Sequence, residues 1–231
     1  MNSKILNGYK LITKPIGRGQ FARVHLAYKL KSKCKVAIKS SSHIKTARKE
    51  MLVMSKYGSH PFLPKVYDFF VIDNRAYIVM EYFPGTKIGR SNHYSQGNKY
   101  CKKDAILITY NLLQALKHLH QNGFAHNDIW PKNILINDDN PDKIKLIDFG
   151  LARTINSKKG MKSKDKDLYR IALNCIYLID NPLSEEHLYN LEKIKDNDLK
   201  EIIYKGIHPE KEKRYQSAYE FMKKLSHYIK K

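Results

Sequence analysis

The first third of the chain alternates apolar and polar positions, whereas later segments repeat apolar positions at helical spacing. Ala22, Val24, Leu26 and Tyr28 fall at every second position, which is the period of a half-buried strand. Other strand-like stretches, some of them weaker, cover residues 9–16, 34–39, 66–72 and 75–80. The pattern therefore predicts a sheet of five strands.

One helix and one tight turn interrupt these strands. Residues 45–54 carry Ala47, Met51 and Met54 on a single apolar stripe, which predicts a helix. Asp73-Asn74 separates the last two strand-like runs and predicts a two-residue hairpin turn. We expect a small lobe of five strands and one helix.

A break in the pattern separates this lobe from the rest. Residues 81–85 (EYFPG) end the last strand and predict a boundary. Beyond it, Asp104 opens a helical pattern that Asn122-Gly123 ends. The apolar stripe of this helix consists of Ile108, Leu112, Leu116 and Leu119.

The next segment combines a predicted hairpin with three polar side chains. Two short apolar runs flank a turn-rich segment at 138–142 and predict the two strands, at 134–136 and 144–147. A hairpin here brings Asp128, Asn133 and Asp148 near one another. Two hard oxygen ligands and a separate carboxylate suit a magnesium-bound polyphosphate and an acceptor hydroxyl.

The small lobe carries groups that suit the same ligand. Gly17 and Gly19 form a turn in which backbone N–H groups can approach phosphate oxygens. Lys39 ends the strand-like run 34–39, and Glu50 is the only Glu between it and residue 80. A Lys39–Glu50 pair would hold the ammonium toward the α- and β-phosphates.

Composition limits the class of protein without defining it. The 231 residues are 42% apolar, enough for a sizeable core, and the net charge is +21. This charge suits nucleic acid, an anionic membrane or acidic substrates, but 35 Lys against 8 Arg favours a solvated surface over nucleic-acid recognition. Three distant cysteines, no apolar span and no signal peptide predict a soluble cytoplasmic protein.

The last third predicts helices and a basic loop. Residues 153–167 contain five Lys and are expected to be a loop, followed by an apolar helix from Leu168. Asp198-x-x-Glu201 and Ser217-x-x-Glu220 are capping-box patterns that predict two further helix starts. The apolar positions after the second box are Phe221, Leu225 and Ile229.

Six motifs in order resemble the protein-kinase family. They are Gly17-x-Gly19-x-x-Ala22-x-Val24, Val36-Ala37-Ile38-Lys39, Glu50, Val79-Met80-Glu81-Tyr82, His126-x-Asp128-x-x-x-x-Asn133 and Asp148-Phe149-Gly150-Leu151-Ala152. The resemblance implies an α+β, bilobal fold in one domain, residues 1–231. Its small antiparallel β-sheet lobe with one main helix and the hinge would cover 1–83, and its mainly α-helical lobe 84–231.

The resemblance also implies roles for individual residues, with ATP bound between the lobes. The catalytic set would be Asp128, Lys39, Asn133 and Asp148. Nucleotide contacts would come from Ile16, Gly17, Gly19, Val24, Ala37, Lys39, Glu50, Met80, Glu81, Phe83, Leu135 and Asp148. Asn133 and Asp148 would hold Mg²⁺, or Mn²⁺ in its place, and Asp128 would orient the acceptor hydroxyl. His126 is expected to be a packed loop residue.

Several positions depart from the family pattern. There is no Ala-Pro-Glu signature, so Arg214 loses its usual partner and is expected to be a surface charge. Asn127 replaces an Arg, which argues against control by activation-loop phosphorylation. Trp130 replaces a Lys that faces the transferred phosphate in the family. The loss of that positive charge is expected to lower activity. Lys132 lies nearby in sequence and is a candidate to replace that cation, although a solvated side chain is favoured.

Three functions are compatible with these residues. The leading prediction is an ATP- and Mg²⁺-dependent serine/threonine-protein kinase, a transferase acting on a protein hydroxyl. In protein kinases the Ala-Pro-Glu signature accompanies the ledge that holds the substrate peptide. Its absence leaves open a small-molecule kinase of choline or aminoglycoside type. A nucleotide-binding pseudokinase is the third possibility. The basic run 158–166 predicts an acidic acceptor or partner, and nucleic acid is not favoured.

Overall fold

A computed structural model of the chain describes residues 3–19, 21–89, 100–183 and 187–229. Contacts divide the chain into two compact units. Unit 1 comprises residues 1–60 and 64–84, and unit 2 comprises residues 61–63 and 85–231. Strands and helices are both abundant, which confirms the predicted α+β class.

Unit 1 is built on an antiparallel sheet with strand order β1-β2-β3-β4-β6-β5. The strands are β1 (Ser3–Leu6), β2 (Tyr9–Arg18), β3 (Ala22–Lys29), β4 (Lys35–Ser41), β5 (Val66–Ile72) and β6 (Arg75–Glu81). Within the described residues the sheet has six strands where five were predicted, because β1 pairs with β2. Asn7 and Gly8 form that turn at φ 45° and 80°, a left-handed geometry that Asn and Gly tolerate best. Asp73 and Asn74 form the predicted hairpin turn, at φ 49° and 57°.

The core of unit 1 lies on one face of this sheet, and a helix buries further residues. Seven buried residues form a core cluster on one face: Leu6, Tyr9, Leu11, Ala27, Val36, Ile38 and Val79. Helix α1 (Ile44–Tyr57) buries Ala47, Glu50, Val53, Met54 and Tyr57. The predicted stripe is wrong at Met51, which is only half-buried, because Glu50 and Val53 take the inward positions around it.

Unit 2 is mainly helical. Its long helices are α2 (Lys102–Gln121) and α3 (Lys158–Ile179), followed by α4 (His187–Glu192), α5 (Asn197–Ile207) and α6 (Ala218–Ile229). Its strands are β7 (Thr86–Lys87), β8 (Phe124–Ala125), β9 (Ile134–Asn137), β10 (Asn140–Leu146) and β11 (Arg153–Thr154). The predicted stripe of α2 is fully buried. No helix in the described ranges is long and apolar enough to span a membrane.

Strands β9 and β10 form the predicted hairpin, with a shorter turn because β10 already begins at Asn140. The hairpin also explains why residues 61–63 belong to unit 2. The Leu146 N–H donates to the Phe62 carbonyl (3.0 Å), and the Lys145 ammonium donates to the Leu63 carbonyl (3.2 Å). The boundary between the two units was expected after residue 83. The observed division differs from it by residues 61–63, which belong to unit 2, and by Pro84, which belongs to unit 1.

Helix α3 begins ten residues before the expected start at Leu168, so the expected basic loop is helical. Ser157 caps the helix by accepting a hydrogen bond from the Gly160 N–H (3.1 Å). Gly160 packs so closely on the Thr154 carbonyl that a Cβ would clash with it. The first turns are rich in exposed Lys, which hides the apolar period on which the prediction relied.

Three further expectations in unit 2 have clear outcomes. Arg214 is not a surface charge: its side chain is 12% exposed, lies 3.6 Å from the Asp165 carboxylate and covers the Tyr169 ring at 4.6 Å. Helix α5 is capped by Asp196, so the start expected at residue 198 is two positions late. The second capping box holds, since Ser217 accepts a bond from the backbone N–H at position 220 (3.1 Å).

Candidate active site

Unit 1 contributes the turn between β2 and β3. Gly17 pairs with Val24 in the register of the two strands. The Gly19 N–H donates to the Ala22 carbonyl (2.9 Å), which closes the turn around position 20, outside the described residues. Ile16 is 54% exposed, so an apolar side chain stands open beside the turn.

Lys39 and Glu50 form the predicted ion pair. The Lys39 ammonium lies 2.7 Å from both Glu50 carboxylate oxygens, and the two side chains are 13% and 4% exposed. Directly opposed residues in antiparallel strands share a face. Lys39 opposes Val24, and Ala37 opposes Met80, so these four predicted residues lie together on the face opposite the core cluster.

The hinge residues occupy the end of β6. Glu81 opposes Val36, and its N–H donates to the Lys65 carbonyl (2.8 Å). Phe83 lies two residues beyond Glu81, the last residue of β6, and is half-buried. The nucleotide contacts expected of Met80, Glu81 and Phe83 stay predictions.

Replacing Glu50 with Gln should destabilise unit 1, because the buried Lys39 ammonium then loses its contact with the Glu50 carboxylate. We expect a loss of about 2 kcal/mol in the free energy of unfolding, measured by urea denaturation. Glu210→Gln is the matched control, since Glu210 pairs with Lys213 at 2.6 Å but both side chains are 59% exposed. The control should lose less than about 1 kcal/mol. Equal losses would show that burial of the Lys39–Glu50 pair is unimportant.

The loop of unit 2 that is predicted to be catalytic follows β8 and begins at a buried histidine; it is called the catalytic loop below. The His126 ring is inaccessible to solvent, lies edge-on to Phe149 with ring centroids 5.0 Å apart, and approaches the Ile147 carbonyl (3.2 Å). Burial lowers the pKa of His126, although the carboxylates of Asp167, Asp128 and Asp148 oppose that shift. A fully enclosed ring agrees with the expected packing role.

Asp128 is oriented by two neighbours on the same loop. The Asn133 side-chain amide donates to the Asp128 carbonyl (2.9 Å) and to its carboxylate (2.8 Å). The Lys132 ammonium lies 3.8 Å from the same carboxylate, and its side chain is 29% exposed. Lys132 is therefore a partner of Asp128, and the expectation that it is simply solvated is wrong.

The β9–β10 hairpin brings Asp148 close to Asn133. The Ile147 N–H donates to the Asn133 carbonyl (2.9 Å), which sets Asp148 beside Asn133. Asp148 adopts φ 71°, a left-handed conformation that is uncommon outside Gly, and its carboxylate accepts a bond from the Gly150 N–H (3.4 Å). Sparsely populated backbone geometry is concentrated at functional sites.

One essential support was missing from the set of site residues predicted from sequence. Asp167 of α3 is 1% exposed, and its carboxylate accepts the backbone N–H groups of His126 and Asn127, each at 2.7 Å. It also lies 3.2 Å from the His120 ring nitrogen. Its sequence signal was an Asp at the start of the apolar helix, where the resemblance to protein kinases implies a matching Asp.

Two other α3 side chains hold the loop. The Arg170 guanidinium covers the Trp130 ring at 3.6 Å, and the Asn174 amide donates to the Ile129 carbonyl (3.3 Å). Trp130 thus packs beneath an arginine. The loop is fixed by residues 167, 170 and 174, which occupy one face of α3.

Lys87 is a second residue that the sequence did not single out. It opposes Leu135 across β7 and β9, so the two side chains share a face. Burial lowers the pKa of Lys87, Lys132 acts in the same direction, and Asp148 opposes it. Among the residues that the sequence did single out, Asp148 and Lys132 are therefore the charges that act on Lys87.

Comparison with known proteins identifies the class that this fold and site define. The model of the protein kinase domain matches residues 11–176. The chain belongs to the protein kinase family.

Proteins similar to this chain include kinases from several organisms. The chain is 33% identical over 156 residues to a probable myosin light chain kinase of Dictyostelium discoideum, covering 66% of this chain and 49% of that protein. It is 33% identical to serine/threonine-protein kinase PrkC of Bacillus subtilis, covering 67% of this chain and 24% of that protein. It is 29% identical to serine/threonine-protein kinase D of Synechocystis, covering 94% of this chain and 52% of that protein. The chain thus spans about half or less of the length of these relatives.

Proposed function

We propose that this chain transfers the γ-phosphate of ATP to a Ser or Thr hydroxyl of a protein, in a Mg²⁺-dependent reaction. The observation that carries the proposal is the arrangement around Asp128. A carboxylate held by Asn133 and Lys132 stands beside Asp148, on a loop anchored from α3. Family membership and similarity to serine/threonine kinases support the same reaction.

Each catalytic group has a role that its contacts support. Asp128 orients the acceptor hydroxyl and takes its proton as the oxygen attacks the γ-phosphorus. The bond between that phosphorus and the β–γ bridging oxygen breaks, and ADP leaves. Lys39, held by Glu50, would contact the α- and β-phosphates of the donor.

The side-chain oxygen atoms of Asn133 and Asp148 suit a divalent cation. The Asn133 amide nitrogen faces Asp128, so its amide oxygen points away, and Asp148 supplies a carboxylate beside it. Mg²⁺ is held in proteins by few oxygen ligands together with substrate phosphates, and these two side chains meet that requirement. When bound, the ion would neutralise phosphate charge.

The context of the acceptor is also proposed. The excess of Lys over Arg supports acidic protein acceptors over nucleic acid. Most of the cations are compact ammonium groups, and few are the forked guanidinium groups of Arg. All three cysteines are free, two of them exposed, which supports a reducing compartment such as the cytoplasm.

A transfer assay tests the proposal against its alternatives. Labelled ATP and Mg²⁺ would be incubated with the chain and a heat-inactivated protein extract, and separately with a metabolite panel. We expect label on protein Ser or Thr, and none with Asp148→Asn. Label in metabolites alone would establish a small-molecule kinase. ATP binding without any label would favour a pseudokinase.

Lys132 is expected to supply the cation that Trp130 cannot. Lys132→Met should lower kcat by about 10- to 100-fold with little change in ATP affinity, because charge develops only in transfer. Lys143→Met, at an exposed position on β10, is the matched control and should leave kcat unchanged. Steady-state kinetics and nucleotide titration measure the two quantities. An unaltered kcat in the Lys132 variant would remove Lys132 from the mechanism.

A further inference from the structure

The first turns of α3 present a row of lysines on one side. Lys158, Lys159, Lys162 and Lys166 are all exposed. At about 100° per residue, these four positions fall within an arc of about 100° around the helix. We call this set the α3 lysine row. The expected basic loop is thus an ordered cationic face.

The row is not balanced by carboxylates. Among the residues that the structure describes, none of the four ammonium groups lies within 4.0 Å of a carboxylate, and the nearby Asp165 is paired with Arg214. Five other surface lysines of unit 2 do have carboxylate partners within that distance: Lys102, Lys193, Lys200, Lys205 and Lys213. Four neighbouring positive charges on a rigid helix repel one another and favour an anionic partner.

The same helix holds the catalytic loop. Asp167 directly follows the row, and its carboxylate binds the backbone of His126 and Asn127, next to Asp128. Arg170 and Asn174 extend these contacts from a neighbouring face of α3. Any segment bound to the row is therefore held at a fixed position relative to Asp128.

We infer that the α3 lysine row binds an acidic segment next to the acceptor residue of a protein substrate, an inference that rests on the proposed function. The row extends about 12 Å along the axis, at about 1.5 Å per residue. An extended peptide covers that length with about four residues, at about 3.3 Å each. A matching substrate has a short run of Asp or Glu within a few residues of its Ser or Thr.

A protein segment fits this row better than a nucleic acid does. The row consists of Lys alone, without the Arg forks that recognise phosphates in two-point fashion. Nucleic-acid surfaces also provide aromatic platforms, and the aromatic neighbour Tyr169 is covered by Arg214. Binding to an oligonucleotide is therefore included in the test as a competing outcome.

The test compares matched charge reversals. The row variant changes Lys158, Lys159, Lys162 and Lys166 to Glu, and acidic residues at a helix N-terminus do not oppose folding. The control variant changes four exposed lysines of unit 1 to Glu, which alters net charge equally: Lys29, Lys31, Lys33 and Lys35. Each protein is assayed with Ser peptides that differ only in four flanking residues, which are acidic, neutral or basic. Binding is measured separately by fluorescence anisotropy, with an acidic Ser→Ala peptide and with an oligonucleotide.

The wild-type chain and the control variant should prefer the acidic peptide, chiefly through KM. The row variant should raise KM for that peptide by about 10- to 100-fold, and added salt should weaken the preference. Retained preference in the row variant, or equal loss in the control, would overturn the inference. So would a row variant that alters only oligonucleotide binding. If no peptide is phosphorylated but the row variant alone loses acidic-peptide binding, the row still binds acidic segments and only the proposed reaction fails.

Discussion

Asp128→Ala is expected to reduce phosphate transfer on the order of a thousandfold while ATP affinity stays nearly unchanged. The carboxylate is assigned to the acceptor hydroxyl, whereas Lys39, Asn133 and Asp148 are assigned to the donor and its metal ion. Removing Asp128 also deprives Asn133 and Lys132 of a partner at 2.8 and 3.8 Å. Some disorder of the loop could therefore add to the loss.

Asp128→Asn separates these two effects. The amide preserves an oxygen that can accept the Asn133 bond, but it is far too weak a base to take the hydroxyl proton. Both variants should lose transfer to a similar extent, as measured by single-turnover kinetics at saturating ATP. If Asp128→Asn retained most of the activity, orientation of the loop would explain the Ala result, and the proposed base would be wrong.

Local patterns predicted much of the fold and of the candidate site. Alternation defined β3, and runs of strand-forming residues indicated the other strands of unit 1 after β1. The 3.6-residue period defined α2, because that helix has one buried face. The Lys39–Glu50 pair followed from the absence of another Glu between Lys39 and residue 80. The hairpin β9–β10 followed from turn residues between two apolar runs.

Patterns failed where tertiary contacts decide the outcome. The start of α3 rests on a Ser157 cap and on the close packing of Gly160, and neither produces an apolar period. Arg214 was expected to be exposed because its usual partner is missing, yet Asp165 and Tyr169 are close to it in space. Lys132 differs from a solvated lysine because the carboxylate of Asp128, four residues earlier on the loop, lies 3.8 Å from its ammonium.

The catalytic loop itself has little regular structure, so its geometry depends on α3. Asn127 adopts φ 64°, which costs energy for a residue with a side chain. Its N–H is fixed by Asp167, and its side-chain amide donates to the Leu151 carbonyl (3.2 Å). The position of Asp128 is therefore set by an acidic residue that contacts no substrate in the proposed reaction.

Asp167→Ala should consequently destabilise unit 2 and abolish transfer together. The substitution leaves the N–H groups of His126 and Asn127 without their buried acceptor, which we expect to cost about 4 kcal/mol in the free energy of unfolding. Denaturant titration measures this loss. Phosphate transfer would be measured at denaturant concentrations well below the unfolding midpoint of the variant, so that the folded chain is tested.

Asp165→Asn is the control for Asp167, two residues away on the same helix. Its side chain is 28% exposed and pairs with Arg214 at 3.6 Å, so the expected loss is about 1 kcal/mol or less, with transfer retained. Asp167→Asn keeps one acceptor oxygen and should fall between the two in stability. If the folded Asp167→Ala chain transferred phosphate at the normal rate, the loop would hold its active geometry without α3, and the anchoring role assigned to Asp167 would be wrong.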